Sequence, residues 1–493
     1  MPVIATQTNN HMNNATINRT RSFKGTRILC WTIFLVLTVS SYAQVIHDES
    51  NHIKYYHGNP HYWQYKGQPV LLLGATNNDN LFQSENMVEE LDNMKAAGGN
   101  YIRNTMSSRD RGDVQPFLLL PDGKYDLNQW EPDYWQKLER LLKETYKRDI
   151  IVQIELWDPH DIYGSRWARH YWNPDNNINY GVDGVTLKST YGEDAMTNIH
   201  DFFFTVPALH DDQVVLYHQR RFVEKVLSYT LDYPNVLYCI TNEIHPNTLP
   251  EWGWYWSRFI KAYACLKGRT PLVTEMFWDP EMRGMPHRAV LDRPDIYDYF
   301  EASQNSSSVH GRHNWEKSVW LYEQMERNGI QPINHVKIYG IHEAPDGPED
   351  HDALARFWRN ILAGAASSRF HRPGGGVGLT EITAKHLISA RMLMEEHDIF
   401  GAAPDMHHSL LSNRLNNEAF CNYKDGESYI VYFPYGGNVS LDLSKQPGRF
   451  LVKWLHAETA QWISTTETNG DQIIDISCPV GQHTIVLVKK VQE

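Results

Sequence analysis

The sequence predicts an α/β chain, a (β/α)8 TIM barrel followed by a small antiparallel β-sandwich. Three observations carry this expectation. Between residues 70 and 403, short apolar runs alternate with longer amphipathic stretches, the pattern of parallel strands buried on both faces and covered by helices. Eight such runs occur, the number that closes a barrel. After residue 403 the pattern changes to β-branched, alternating runs separated by turn residues.

The predicted barrel strands are, in order, VLLLGAT (70–76), NYIRNT (100–105), IIVQIELWD (150–158), NVLYCITNE (235–243), PLVTEM (271–276), IYDYFEAS (296–303), HVKIYGIHE (335–343) and SSRFHRP (367–373). Amphipathic helical segments fall at 87–97, 133–148, 212–231, 252–266, 315–328, 353–366 and 380–396. Residues 159–210, between the third strand and its helix, form a long insert rich in Asn, Asp, Gly, Trp and Tyr. Long loops at the C-terminal ends of barrel strands usually shape a binding site. The segment 44–69 is expected to add strands or a cap at the barrel entry. In 404–493, SYIVYFP, VSLDL, RFLVKWLH, QIIDIS and HTIVLVKK are separated by DGE, YGG, QPG and TNGD, which reads as a sandwich of short antiparallel strands.

Residues 1–43 stand apart from the fold. Arg19, Arg21, Lys24 and Arg27 precede a mostly apolar run of about 12 residues, and Ser41-Tyr42-Ala43 offers small residues where a signal peptidase cuts. The run is too short for a spanning helix, which needs about 20 residues. Export to the periplasm or the extracellular space, with no membrane insertion after cleavage, is therefore expected.

The chain of 493 residues has a net charge of −13, and losing those four basic residues would take it to −17. Such a balance argues against nucleic acid as a partner, because a phosphate backbone selects a basic surface. Of five cysteines, Cys30 leaves with the signal, Cys239 and Cys265 fall in strand and helix patterns, and Cys421 and Cys478 could pair in an oxidising compartment. No C-x-x-C or H-E-x-x-H occurs, so no metal or other cofactor is expected.

In a parallel barrel the reacting groups come from the C-terminal ends of strands. Strand four ends in Thr241-Asn242-Glu243 and strand seven in Ile341-His342-Glu343. Two carboxylates across one barrel mouth are what glycoside hydrolysis needs, one to protonate the leaving oxygen and one to attack or to activate water. A spacing of about 5–5.5 Å would retain the anomeric configuration and about 6.5–9.5 Å would invert it. The acid should be kept protonated by burial and by the neighbouring negative charge. Glu155, Glu275 and Glu301 are rival carboxylates on strands three, five and six.

The Asn-Glu ending strand four, with a second Glu ending strand seven, resembles clan A of the glycoside hydrolases, the retaining barrel enzymes. The resemblance implies Glu243 as acid/base, Asn242 as the hydroxyl binder beside it and Glu343 as nucleophile. It further implies Arg103 as the arginine that steadies the nucleophile and Tyr299 as a tyrosine that hydrogen-bonds it. YWQYKGQPVLLLGAT and VYFPYGGNVSLDL are similar to segments of the apiosidase-like branch, in which a small β domain follows the barrel. Strand eight ends in His371-Arg372 where many members of the clan offer a tryptophan.

Aromatic residues suited to stack on sugar rings include Trp157, Trp167, Trp172, Trp254, Trp278 and Trp315. His160, Arg166, Arg169, His310 and Arg372 could contact an acidic sugar, and His371 stands at a strand end among them. The expected partner is a carbohydrate, polysaccharide or oligosaccharide. A barrel that binds carbohydrate without catalysis, a metal-assisted hydrolase and a polysaccharide lyase on the same scaffold remain alternatives.

Overall fold

The computed structural model describes residues 51–192, 200–307, 309–329, 331–340 and 350–491. The expected signal segment 1–43 and Cys30 lie outside the described residues.

The parallel strands are β1 (Leu72–Ala75), β2 (Tyr101–Thr105), β3 (Ile151–Trp157), β4 (Val236–Thr241), β5 (Val273–Thr274), β6 (Phe300–Glu301), β7 (Ile333–Asn334) and β8 (Ser367–Phe370). Strands β2 to β5 form one sheet, β6 pairs with β7, and β8 pairs with β1, all in parallel. Single contacts link these pieces. Asn100 N donates to Leu73 O (2.8 Å) between β2 and β1, Asp298 N to Val273 O (2.9 Å) between β6 and β5, and Ile338 bridges Phe370 beside β8. Each strand therefore meets its two neighbours in chain order, which is a TIM-barrel-type arrangement.

The helices that follow the strands are α1 (Met87–Ala96), α2 (Pro132–Lys147), α3 (Gln213–Thr230), α4 (Glu251–Cys265), α5 (Met285–Leu291), α6 (Gly311–Asn328), α7 (His351–Leu362) and α8 (Glu381–Glu396). Helix α2 shows why these segments fold as they do: Pro132 starts it, and Leu138, Leu141, Leu142 and Thr145 bury one face at helical spacing. Helix α8 begins with a capping box between Thr380 and Thr383. Helix α5 was not among the expected segments, because seven residues are too few to show a period of 3.6.

A three-stranded antiparallel sheet, Lys54–Tyr55, Trp63–Tyr65 and Gln68–Val70, closes the end where the barrel strands begin. Its fully buried Trp63 donates to Asn334 Oδ1 (2.9 Å) and meets Tyr299 edge-on at 5.4 Å. Tyr299 in turn donates to Tyr238 O (3.0 Å), and Tyr101 donates to Gln153 Oε1 (2.8 Å). This end of the barrel is thus packed with neutral aromatic and amide groups.

The C-terminal region is antiparallel. A six-stranded sheet runs in the order Ala403–Pro404, Phe420–Lys424, Ser428–Phe433, Thr484–Lys490, Arg449–His456, Gln461–Asn469, and a three-stranded sheet in the order Leu411–Ser412, Asn438–Asp442, Ile473–Ser477. The strand alternation divides the work. Val431 and Phe433 join Val439, Leu441, Ile474 and Val486 in a core between the two sheets. Ile430 and Tyr432 face the other way, into a cluster with Phe357, Trp358 and Leu387 of the barrel helices. Cys421 and Cys478 carry free thiols, so the pairing considered from sequence is not formed. Among the described residues no helix is long and apolar enough to cross a membrane.

Candidate active site

Glu243 stands two residues beyond β4. Its flanks are tied to the neighbouring strand ends by Asn242 N to Trp157 O (2.8 Å) and Ile244 N to Met276 O (2.8 Å). Between these anchors Glu243 adopts φ +54°, in the left-handed region that costs a non-glycine residue about 1–3 kcal/mol. The turn aims its carboxylate at the groups converging from β3, β6 and β7.

Lys337 and Tyr339 beyond β7 both donate to Oε1 of Glu243, joined by Gln304 Nε2 at 2.7 Å. His160 Nε2 lies 3.0 Å from Oε2. The Lys337 ammonium also donates to Asn242 Oδ1 (2.8 Å). Burial alone would raise the Glu243 pKa, but Lys337 and His160 outweigh it and hold the carboxyl well below the ordinary glutamate range. Burial works against protonation of His160, yet its bond to Glu243 and the charge of Asp158 raise its pKa above the usual histidine value. Against the expectation of a protonated acid at Glu243 stand a buried lysine and a histidine, both of which favour its ionised form.

A second network sits beside the first. Asp79, beyond β1, binds Arg103 Nη1 (2.7 Å), Arg372 Nε (2.6 Å) and Arg109 Nη2 (3.2 Å). Burial opposes ionisation of Asp79, and the surrounding Arg103, Arg109 and Arg372 override it, holding its pKa well below the ordinary range. Burial drives His371 the other way, far below its usual pKa, so its imidazole is neutral. Arg103 also donates to Glu155 through Nε and Nη2. Arg109 also pairs with Asp158 and, at 3.2 Å, with Asp161. Burial and the adjacent Asp158 push Asp161 up to about 6.

Glu243 and its four partners, with Asp79, Arg103, Arg109, His371 and Arg372 of the second network, line a cavity of about 300 Å³ at the C-terminal ends of the strands. Of the residues expected from sequence, it brings together Glu243, Asn242, Arg103, His160, Trp278, His371, Arg372 and Arg166. Trp278 is 40% exposed and offers the cavity an aromatic face. Other expected residues lie elsewhere. Trp157 is buried among Trp172, Phe202, Phe222 and Trp256. Tyr299 belongs to the closed end of the barrel, and His310 binds Asp352 (2.8 Å) away from the cavity. The rival carboxylates are also engaged: Glu155 with Arg103, Glu275 with the Thr241 amide (2.8 Å), and Glu301 with the Ser303 and Val336 amides.

The ladder of the seventh strand can be followed to Gly340, whose N–H donates to Gly375 O (2.9 Å). Its strand-end groups facing Glu243 are Lys337 and Tyr339. Glu343 lies in 341–349, outside the described residues. Asp79, Arg109, Gln304, Lys337 and Tyr339 escaped the sequence reading. The available signal was alternation: with Val336 and Ile338 in the helix-facing core, Lys337 and Tyr339 must point to the barrel axis.

A larger cavity, about 990 Å³, lies between the end of α8 and the C-terminal sheet, remote from these groups. Its Glu396 is neutralised by Lys453 (2.6 Å) and Lys489 (3.2 Å). Among the described residues, no three His, Cys, Asp or Glu side chains are placed as a metal-ion site would require.

Comparison with known proteins returns no matching family model and no matching curated protein. Solved structures do match. A glycoside hydrolase family 5 protein from Bacteroides vulgatus superposes with a TM-score of 0.61 at 16% identity, covering 90% of this chain and 95% of that one. A structure described as a glycoside hydrolase gives 0.59 at 15% identity, covering 90% and 98%. Another glycoside-hydrolase structure from Bacteroides vulgatus gives 0.53 at 12% identity, covering 90% and 83%. At these identities the shared property is the fold: parallel strand–helix alternation with an antiparallel β region after it.

Proposed function

We propose that this chain is an exported glycoside hydrolase that cleaves a polysaccharide or oligosaccharide at the cavity around Glu243, with Glu343 as the second carboxyl group. The observation that carries the reading is Glu243 itself. A glutamate held in a strained conformation at a barrel strand end, its carboxylate met by four side chains in a cavity, is placed for reaction rather than for packing. The similarity of fold to glycoside hydrolases supports it. Placement in the apiosidase-like branch rests on the sequence segments alone.

A retaining reaction needs one carboxylate ionised and one protonated. Because Lys337 and His160 keep Glu243 ionised, we assign it the attack on the anomeric carbon. The bond from that carbon to the leaving oxygen breaks as the oxygen takes a proton from Glu343. Water, deprotonated by Glu343, then displaces Glu243 and frees the sugar. This allocation reverses the one that the family resemblance implies. Trp278 supplies the face on which a sugar ring stacks.

β-Elimination by a polysaccharide lyase is a second reading, favoured by the Tyr339 hydroxyl on Glu243 and the cations around it. It requires an acidic sugar and leaves an unsaturated product. The test is reducing-end release and ultraviolet absorbance on a panel of neutral and acidic polysaccharides, with Glu243→Gln and Glu343→Ala alongside. Hydrolysis predicts reducing ends without new absorbance, abolished by Glu243→Gln. Release that both variants retain in full would refute the assignment, and binding without release would favour a non-catalytic barrel.

A further inference from the structure

A second cavity, about 390 Å³, adjoins the Glu243 cavity and shares Arg109 and Arg166 with it. Its wall also carries Arg111 and Arg169, the aspartates Asp110 and Asp161, and Tyr125, Ser108, Gln115 and His170. In a chain of net charge −13, a cavity wall where four arginines outnumber two aspartates is a local inversion of charge. Their bonding separates them. Arg109 is buried and neutralised by Asp79, Asp158 and Asp161. Arg111, Arg166 and Arg169 are exposed, and none forms an ion pair among the described residues. The described bond of the Arg166 guanidinium goes to the His160 carbonyl (2.9 Å). His160 is the residue that touches Glu243, so the arginine rim begins one residue from the reacting carboxylate.

We propose that this second cavity binds the anionic group of the sugar unit next to the one cleaved, so the substrate is an acidic saccharide. This rests on the reading of the Glu243 cavity as the site of cleavage. Guanidinium groups grip a carboxylate or a sulfate in the same two-point geometry, so uronate and sulfate-ester sugars share the recognised chemistry. Tyr125 is half-buried and supplies the flat face for the ring; of the two aspartates on the wall Asp161 is held by Arg109, which leaves Asp110 against the three exposed arginines. Arginines left without carboxylate partners at a cavity rim keep their full charge for a ligand, and an overall acidic surface would turn the same ligand away elsewhere.

The test uses the full chain and calorimetric titration with three probe classes: oligouronates, sulfated galactan oligosaccharides and neutral manno-oligosaccharides. An anionic class should bind at least tenfold tighter than the neutral one and weaken steeply as salt rises. The double variant Arg111→Gln/Arg169→Gln should lose at least tenfold in that affinity, while Arg111→Lys/Arg169→Lys recovers part of it. Whichever anionic class responds identifies the source of the charge. Neutral probes binding as tightly as both anionic classes, or affinity unmoved by the double variant, would overturn the proposal, as would failure of both anionic classes to bind. The two readings fail separately. Neutral glycans cleaved through Glu243 without arginine dependence would leave the hydrolase and remove the anionic subsite. Arginine-dependent binding of an anionic probe without any product would do the reverse.

Discussion

At the end where the barrel strands begin, Trp63, Tyr101, Tyr299, Gln153 and Asn334 pack as a neutral, hydrogen-bonded plug. Where the strands finish, Asp79, Arg103, Arg109, Glu243 and Lys337 are crowded into a buried ionic network around a cavity. The same strands build both ends. A neutral plug gains stability from burial, whereas buried charges recover their desolvation cost only through their partners. An ionic end is therefore a poor stability device and a good place for chemistry, and the difference separates what holds this fold from what it does.

The largest effect should come from the ionic end. Glu243→Gln, which keeps the side-chain size but removes the attacking carboxylate, should lower turnover of the identified saccharide by about 10⁴-fold or more with an unchanged circular dichroism spectrum. Trp63→Ala at the other end should cost about 3–5 kcal/mol in urea unfolding, while the rate per folded molecule below the transition stays close to wild type. If Trp63→Ala lost rate as heavily as Glu243→Gln, the two ends would not be separable.

Lys337→Met sharpens the comparison by removing one charge. Glu243 is depressed in the folded state, so its contribution to stability is present above its unfolded pKa and lost as pH falls through the lower folded value. Without Lys337, burial is opposed mainly by His160, and the acid limb of the kcat/KM profile should move to higher pH. An unmoved limb would mean that the lysine does not set the charge of Glu243.

The smallest effect is expected at Asp161, whose pKa is raised from 3.8 to about 6. A raised carboxyl leaves the folded state holding more protons, so stability falls as pH rises across that window. Asp161→Asn should flatten this fall, as read from unfolding midpoints at stepped pH.

Strand runs with a continuous apolar core were legible, as LLGA and VLYCIT within the expected bounds show, whereas the seventh strand pairs at Ile333–Asn334, just before the expected 335–343. The cavity lining was legible at strand ends, as at Glu243 and Arg372, within a strand at Arg103, and in the long insert at His160 and Arg166. Asp79 was hidden because its partner Arg372 is 293 residues away and the pairing is made by closing the ring. Lys337 was hidden because a lone lysine in a strand run does not reveal that its face is the barrel axis. Tyr299 and Trp157 looked like site residues for the opposite reason: strand position alone does not tell the open end of a barrel from its packed parts.

The central claim is that Glu243 is the ionised, attacking carboxylate. The most direct measurement compares Glu243→Ala and Glu343→Ala on aryl glycosides of the identified sugar with graded leaving groups. A leaving group that departs without a proton rescues loss of the acid and not loss of the nucleophile. The account predicts that Glu343→Ala keeps activity on the best leaving groups while Glu243→Ala is inactive on all of them. The opposite pattern, with Glu243→Ala rescued and Glu343→Ala dead, would contradict it.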